Sequence, residues 1–230
     1  MRRTDVRSIE TQRRLLEAAG EVFAEHGFHH ATIQEICRRA GANVAAVHYH
    51  FSDKEQLYRA VIDYAERCDK ESHPLDGEER AGASAEERLR ARVQTFLLRL
   101  LDEGRPAWHG KLMAREMVEP TAVLDDIVRE RVRATHERFG AIVRELLGPQ
   151  ASADAARLCV HSIIGQCVYY RHSRPIITRL FPDLPLGRQE VAPLAEHITG
   201  FSLAGIRQLA AAAGVRTEPR RVRAAVRRRA

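Results

Sequence analysis

The chain has 230 residues, of which 44% are apolar and 30% are charged, and its formal net charge is +6. This composition is typical of a globular protein, no uncharged apolar run is long enough to cross a membrane, and the N-terminus lacks the apolar core of a secretory signal. We therefore expect a cytoplasmic protein. The net charge itself says nothing about partners of the folded part, because the seven arginines and one glutamate after residue 215 account for all of it.

The first part of the chain shows helical periodicity interrupted by two glycines. A first helix is predicted over about 9–26, and Gly27 stands where a helix C-cap needs a left-handed residue. Thr32 and Glu35 then form a capping box, Thr32 capping the backbone and Glu35 reaching back. The second helix that they open ends after about two turns, at Gly41.

A third short helix and a longer fourth one follow. Asn43 is a good N-cap for a helix over 44–50. Ser52 and Glu55 form a second capping box and open the fourth helix. The polar stretch 69–83 contains proline and glycine and is predicted to be a linker.

The rest of the chain is again helical. Ser84 and Glu87 form a third capping box, and Ser152 is a further N-cap. Arg174-Pro175 is predicted to end a helix and to begin a proline-rich loop. The predicted body helices cover about 84–101, 106–118, 121–147, 152–172 and 191–213. The sequence thus predicts an all-α fold with a small N-terminal head and a larger helical body.

Two short helices joined by a glycine-containing turn are typical of a helix-turn-helix, whose second helix enters the DNA major groove. On the third helix, Val47 marks an inward face with Phe51 and Val44 beside it. The opposite arc carries small and hydrogen-bonding residues: Ala45, Ala46, His48 and Tyr49. Alanines allow close approach to a groove, and the two rings can bond base edges or phosphates.

Two other interpretations of this segment stay open at the level of pattern. The first is a compact helical hairpin with no nucleic-acid role. The second is a metal site built from the histidines at 26, 29, 30, 48 and 50. Only His26 and His30 have helical spacing for one metal, Gly27 interrupts them, and no carboxylate or cysteine completes a set. We therefore expect no metal.

The N-terminal 60 or so residues resemble the TetR family of bacterial transcriptional regulators. The resemblance runs from RRLLEAAGEVFAEHGF to ATIQEICRRAGANVAAVHYHFSDKEQLYRAVI, and its most specific part is YHFSDKEQL (49–57). The run AAVHYHFSDKEQLYRAVI looks still closer to one branch, the CerR/YbiH-like regulators. Three later stretches fit that branch: Ala114-Arg115-Glu116 with Pro120-Thr121, GQCVYYRHSRPIITRLFP (165–182) and EHITGFSLAGI (196–206).

This resemblance implies a homodimer with a DNA-binding head over 1–68, an effector-binding and dimerisation body over 69–213, and a basic tail over 214–230. The family's phosphate contacts fall on Thr32, His50 and Lys54. Its base-facing positions fall on Val44, Ala45, Ala46, His48 and Tyr49. The branch usually has asparagine where this chain has His48, so an adenine-reading amide becomes an imidazole and the operator sequence cannot be borrowed from relatives.

The body is expected to dimerise and to bind a small molecule. The helices 152–172 and 191–213 are apolar nearly all round, so each must bury more than one face, against a second copy or within the monomer's own core. The candidate effector-lining residues lie among the middle helices: Trp108, His109, Met113, Glu116, Met117, His161, Gln166 and Tyr169. Arg171 is a possible partner for the carboxylate of Glu116.

The predicted function is that of a ligand-responsive dimeric regulator, a repressor that binds a palindromic double-stranded operator and is released by an unknown effector. The alternatives are an activator of the same family and a helical adaptor that binds only protein. No GxSxG, HExxH, P-loop or GxGxxG motif is present, so we expect neither an enzyme nor a bound cofactor.

Overall fold

A computed structural model describes residues 3–72, 82–101, 106, 108–184 and 186–215, and every regular element within these ranges is helical. The all-α prediction is confirmed. The helices are α1 (Arg3–His30), α2 (Ile33–Ala40), α3 (Val44–Phe51), α4 (Lys54–Ser72), α5 (Ala85–Leu101), α6 (His109–Val118), α7 (Val123–Ile127), α8 (Arg133–Leu147), α9 (Ala153–His172), α10 (Arg174–Leu180) and α11 (Val191–Val215). None of these described helices combines the length and apolarity needed to cross a membrane. The predicted tail beyond 215 and the middle of the predicted linker (73–81) lie outside the described residues.

Local signals set the break at Gly27, the ends of α2 and the start of α3 as predicted, whereas α1 runs from Arg3 to His30 and is longer than the predicted 9–26. Gly27, at φ 75°, breaks the helical path near the end of α1, and Gly41, at φ 60°, ends α2 in the left-handed region. Thr32 Oγ1 accepts a hydrogen bond from the Glu35 backbone N–H at 3.2 Å, and Asn43 Oδ1 accepts one from Ala46 at 2.8 Å. The head therefore owes its short helices to residues adjacent in sequence.

The junction between α3 and α4 differs from the prediction. Asp53, rather than Ser52, caps α4, because Asp53 Oδ1 accepts the Gln56 backbone N–H at 2.8 Å. The predicted capping box of Ser52 and Glu55 is therefore wrong. Ser52 instead takes φ 65° and ψ −59°, the geometry of a tight three-residue turn.

The body is a bundle of α5, α8, α9 and α11 around one apolar core. Ser84 and Glu87 form the predicted capping box: the Ser84 backbone N–H donates to Glu87 Oε2 at 2.8 Å, and the Glu87 N–H donates to Ser84 Oγ at 3.3 Å. Ser152 caps α9 by accepting the Ala155 N–H at 3.1 Å. The two predicted caps of this region are thus confirmed.

Two predictions for the body need correction. The single helix expected over 121–147 is α7 and α8 joined by a π-helical turn, Val128–Val132. The segment after Arg174 is a helix rather than a loop, since Pro175 lies in the first turn of α10, where a proline has no backbone bond to lose. The proline-rich part follows only after Leu180.

The core of the head includes residues of α7 and of the region around α6. Four buried residues from α7 and the α6 region pack into the same apolar cluster as α1 to α4: Trp108, Leu112, Val123 and Ile127. Ion pairs on the outside join the same elements, with Arg59 of α4 bound to Asp126, and Arg131 of the π turn bound to Asp63 and, at 2.6 Å, to Glu66. The first two helices after α5 therefore belong structurally to the head.

Candidate nucleic-acid interface

Helix α3 has one buried side and one exposed side. Val47 and Phe51 are buried in the head core, at 0% and 6% exposure. Ala45 and His48 are exposed, and Tyr49, at 80%, is among the most exposed large side chains described. The predicted division of this helix between core and surface is therefore present in the structure.

Two residues of α3 lie differently from the pattern. Val44 was expected beside Val47 on the inward face, but it is 41% exposed, so that packing prediction is wrong. Ala46 was expected on the outward arc, but it is half-buried against the head core. The exposed side of α3 therefore includes its first residue, Val44, and Ala46 lies at the border between this side and the core.

The predicted phosphate-binding residues surround α3. Thr32 is exposed at the N-terminus of α2, and its hydroxyl, which accepts from Glu35, retains its own O–H to donate. His50 is half-buried, with its ring 4.9 Å from that of Tyr49 and 5.9 Å from that of Phe51. Their assignment as phosphate contacts stays a prediction.

Lys54 has a structural role that the sequence did not indicate. Its ammonium donates to the backbone carbonyls of Ala31 at 3.2 Å and His29 at 3.4 Å, and it lies 4.7 Å from the centre of the Phe28 ring. Lys54 therefore joins the start of α4 to the end of α1. An ammonium has three N–H donors, so one remains for a phosphate.

The turn after α3 is held by three hydrogen bonds. The Asp53 N–H donates to the Phe51 carbonyl at 2.8 Å, which closes a three-residue turn centred on Ser52. The Ser52 N–H donates to the His48 carbonyl at 3.2 Å. The His48 ring nitrogen Nδ1 lies 2.7 Å from the Ser52 carbonyl oxygen. Among the described residues, Ser52 is the only one other than glycine with positive φ, a strained conformation for a residue with a side chain.

Charges on α2 are paired locally. Glu35 binds Arg38 at 2.7 Å and Arg39 at 2.8 Å, and these two arginines, Arg38 first, lower the pKa of Glu35 to about 2. Arg39 also reaches Glu25 of α1 at 2.7 Å. Glu35 therefore binds arginines rather than completing the predicted capping box, and α2 is fixed to α1 by charge as well as by packing.

A buried carboxylate connects the head to α6. Glu116, at 1% exposure, accepts the hydroxyl of Tyr58 of α4 at 2.6 Å. Its other oxygen accepts the Thr121 N–H and hydroxyl, both at 2.8 Å. Burial, and after it the hydrogen bond to Glu116, raises the pKa of Tyr58 well above its usual range. The suggested partner Arg171 instead places its guanidinium against Gly110, on an earlier turn of α6.

A second carboxylate, Glu17 of α1, makes a similar connection. It accepts the Tyr64 hydroxyl at 2.5 Å and the indole N–H of Trp108 at 3.2 Å. The Trp108 ring lies directly on Gly20, where an added Cβ would come within 2.2 Å of it. Trp108 is thus a packing residue between α1 and the start of α6.

The end of α1 is bound by a residue of α6 as well. Arg115 donates to the backbone carbonyls of Ala24 at 2.9 Å and Glu25 at 2.6 Å. These are carbonyls of the last turn before Gly27, which lack helical partners of their own once the helix is broken. Helix α6 therefore contacts the head through Trp108, Arg115 and Glu116.

The eight predicted effector-lining residues do not surround one cavity. Trp108, Met113 and Glu116 pack into the head junction, and His109 is half-buried at the start of α6. Met117 is 57% exposed, and the exposed His161 ring contacts that of His136 at 5.6 Å. Their role in binding stays a prediction.

Gln166 and Tyr169 do share one place, an open depression of about 330 Å³ between α9 and α11. Gln166 donates to the Ser202 hydroxyl at 3.2 Å across these two helices. The other residues that line the depression are Gly165, Tyr170, His197 and Ile198. It lies on the outer side of the bundle, where Tyr169 is 53% exposed.

Two family models match the chain. The N-terminal model of bacterial regulatory proteins of the TetR family matches residues 15–61, and the C-terminal domain of the HTH-type transcriptional dual regulator CecR matches residues 85–206. Together they cover the helix-turn-helix and most of the body.

Relatives that match the chain over 150 and 180 residues are less than 30% identical to it. The chain is 26% identical over 180 residues to the dual regulator CecR of Shigella flexneri, covering 75% of this chain and 80% of that protein. It is 29% identical over 150 residues to the regulator UidR of Escherichia coli K12, covering 62% and 56% of the two chains. These relatives are named as transcriptional regulators, a class that is not enzymatic, so the prediction of a non-enzyme is confirmed.

Solved structures of regulators share the fold. A transcriptional regulator from Rhodococcus sp. RHA1 superposes with a TM-score of 0.56 at 21% identity, covering 84% of this chain and 96% of that one. The hemolysin II regulator HlyIIR superposes with a TM-score of 0.53 at 21% identity, over 84% and 98%. With the two family models matching both halves, the chain belongs to the TetR family of transcriptional regulators.

Proposed function

We propose that the protein is a dimeric, ligand-responsive repressor that binds a palindromic operator with α3. Its head is formed by 1–68 together with α6 and α7, which share the head core, and its body by the rest of 69–213. The observation that carries the proposal is the two-sided α3, which is anchored by Val47 and Phe51 and presents Tyr49 outward at 80% exposure. An aromatic ring has little to gain from exposure to water, whereas in a DNA groove it can contact base edges, and the neighbouring alanine lets the helix approach closely.

The assignment of contacts follows from exposure. Tyr49, His48 and Ala45 face base edges, with Val44 and Ala46 at the rim of the same contact. The Thr32 hydroxyl, the His50 ring and the remaining donor of Lys54 bind phosphates on either side. Phosphate contacts fix the register of α3, and base contacts select the sequence.

For the dimer, we propose a four-helix contact made by α9 and α11 of each copy, the predicted 152–172 and 191–213. Large apolar side chains are exposed on both helices: Leu158 at 62%, Tyr169 at 53%, Phe201 at 68% and Leu209 at 45%. Glycines 165, 200 and 205 on these helices are exposed, and an added Cβ would meet no atom within 4 Å. An apolar surface with such gaps suits close helix packing against a second copy.

The effector response is proposed to pass through α6. An effector held by the body and in contact with α6 would move Glu116, Arg115 and Trp108 together. Each of these is bonded to α4 or α1 of the head. The spacing of two heads in a dimer then changes, and only one spacing fits successive major grooves, about 34 Å apart.

The experiment is a gel-shift titration of the full-length protein with the DNA upstream of its own gene. Tyr49→Ala should weaken sequence-specific binding about tenfold or more, while Phe181→Ala, at an aromatic of the body that is 59% exposed, should not change it. If neither the wild type nor any effector-loaded form prefers that DNA over a scrambled duplex, the operator proposal is wrong. A promoter–reporter assay decides between repression and activation, since the CecR relative is named a dual regulator.

The dimer is tested separately by sedimentation. Phe201→Glu places a charge in the centre of the proposed α9–α11 contact and should yield a monomer at micromolar concentration. Phe181→Glu, on the connection between α9 and α11, is the matched control and should sediment as the wild type. A wild-type monomer, or a dimer unaffected by Phe201→Glu, would contradict the proposed contact.

A further inference from the structure

We propose that His48 reads an exocyclic amino group in the major groove, that of adenine or cytosine, through Nε2 acting as a hydrogen-bond acceptor. The proposal rests on the proposed function, in that α3 must lie in the groove. It goes further by assigning the chemical group that one side chain recognises, from the hydrogen bond that the same side chain makes within the protein.

The first step concerns the position of the ring proton. The Nδ1 atom of His48 lies 2.7 Å from the Ser52 carbonyl oxygen, and a carbonyl oxygen can only accept. Nδ1 must therefore carry the proton. In a neutral imidazole only one nitrogen is protonated, so Nε2 is left with a lone pair and no hydrogen.

The second step concerns what keeps that arrangement in place. Ser52 takes φ 65° and ψ −59° in a turn closed by the 2.8 Å bond from Asp53 to Phe51. This conformation is strained for a residue with a Cβ, so it persists only if its surroundings hold it. The His48 ring supplies one such restraint by bonding the Ser52 carbonyl. The tautomer of His48 and the geometry of the α3–α4 turn thus depend on each other.

The third step concerns where Nε2 can act. His48 is exposed next to Tyr49 on the outward side of α3, and within the described part of the chain the only hydrogen bond of its side chain is the one made by Nδ1. Phosphate oxygens, guanine O6 and N7, and thymine O4 are all acceptors, which a bare Nε2 cannot bond. Adenine N6 and cytosine N4 carry the donors of the major groove. The neutral ring is therefore suited to these two amino groups.

The test begins with an operator selected from random duplexes by the full-length wild type at pH 8, where an ordinary imidazole is neutral. Adenines and cytosines of one half-site are then replaced singly by analogues that lack the amino group. At one position the wild type should lose about 3- to 10-fold in affinity, the effect of one hydrogen bond, while His48→Phe should bind the analogue and the natural base equally. His26→Phe, which changes an exposed ring of α1 in the same way, should keep the wild-type discrimination.

The variant Ser52→Gly distinguishes a role of His48 in holding the turn from a role in contacting a base. Glycine adopts positive φ without strain, so the turn no longer needs the histidine. Ser52→Gly alone should discriminate the analogue like the wild type, and Ser52→Gly combined with His48→Phe should fold normally but not discriminate. If the double variant regains discrimination, His48 acts only on the turn and the base contact is refuted.

Nitrogen-15 NMR of histidine-labelled protein provides a readout independent of affinity. The His48 resonances, assigned by their loss in His48→Phe, should show a protonated Nδ1 and an unprotonated Nε2 at pH 8, free and bound to DNA. A protonated Nε2 overturns the inference. If selection enriches no sequence, the proposed function fails with it, whereas an enriched operator with no His48-dependent amino group refutes this inference alone.

Discussion

Replacing Tyr58 by phenylalanine tests the buried junction between α4 and α6. The substitution removes the hydroxyl that donates to Glu116 at 2.6 Å and leaves the rest of the ring in place. Both side chains are buried, at 1% exposure each, so water cannot substitute for the lost donor. A hydrogen bond to a charged group contributes about 1.5–3 kcal/mol. The Thr121 donors remain on the other oxygen, so the loss should stay in that range and not reach that of an isolated buried charge.

The measurement is the free energy of unfolding in urea at pH 7 and one fixed protein concentration, because dimer association adds to apparent stability. We expect Tyr58→Phe to lower it by about 2 kcal/mol. Tyr49→Phe, at a residue that is 80% exposed and outside the proposed dimer contact, should change it by less than about 0.5 kcal/mol. A double-mutant cycle with Glu116→Gln isolates the pair. A Tyr58→Phe protein as stable as the wild type, or a cycle without coupling, would refute the reasoning.

The same pair gives a pH dependence whose sign is fixed. The folded state raises the pKa of Tyr58, through burial and then through Glu116, so the protonated hydroxyl is favoured in the folded protein. Stability from this group is fully present below the unfolded pKa of about 10 and falls as the pH rises above it. The difference between the wild type and Tyr58→Phe should therefore shrink in alkaline urea titrations.

Three further predictions follow from other contacts. Gly20→Ala should lower the free energy of unfolding by about 1–2 kcal/mol and red-shift the emission of Trp108, the only tryptophan, because the new Cβ collides with its ring; a more stable variant would mean that helix propensity dominates. Burial raises the pKa of Cys167 to about 12, so at pH 8 iodoacetamide should label it in urea but not in the native protein, as read by mass spectrometry. Arg38 and, after it, Arg39 lower the pKa of Glu35 to about 2. The stability that this carboxylate contributes is therefore present above pH 4.5 and is lost as the pH falls toward 2. The urea midpoints of the wild type and Glu35→Gln should accordingly converge from pH 5 to pH 3.

Much of the head could be predicted because its signals are local. Thr32 and Asn43 each accept a backbone N–H three residues ahead, and the N–H of Gly41 donates to carbonyls three and four residues back. Both partners of each bond therefore lie in one short stretch of sequence, where the pattern can be recognised. The buried face of α3 follows from periodicity for the same reason. Ser52 is the exception, since serine is a common helix cap and nothing in its neighbours shows that Asp53 would take that place.

The junction between head and body could not be predicted, because its partners are distant in sequence. Tyr58 and Glu116 are 58 residues apart, and Trp108 and Glu17 are 91 apart. A buried tryptophan or glutamate in a helical body resembles a ligand site, and only the fold shows that its polar atoms already have protein partners. The different role of Pro175, which begins a helix where the sequence predicted a loop, has another cause: proline is compatible with both, and the packing of the buried Ile177 favours the helix.

These junction contacts restrict how any signal can reach α3. Trp108, Leu112, Val123 and Ile127 share one core with α1 and α4, so α6 and α7 move with the head. Separating them would break the buried contacts of Glu116, the half-buried contacts of Glu17, and the hydrogen bonds from Arg115 to the carbonyls at the end of α1. The more easily deformed boundary is the one between α7 and α8, where a π turn interrupts the regular helix and connects the head core to the body bundle. We therefore expect a change in the body to reorient the head as a unit that includes α6 and α7, with bending at residues 128–132.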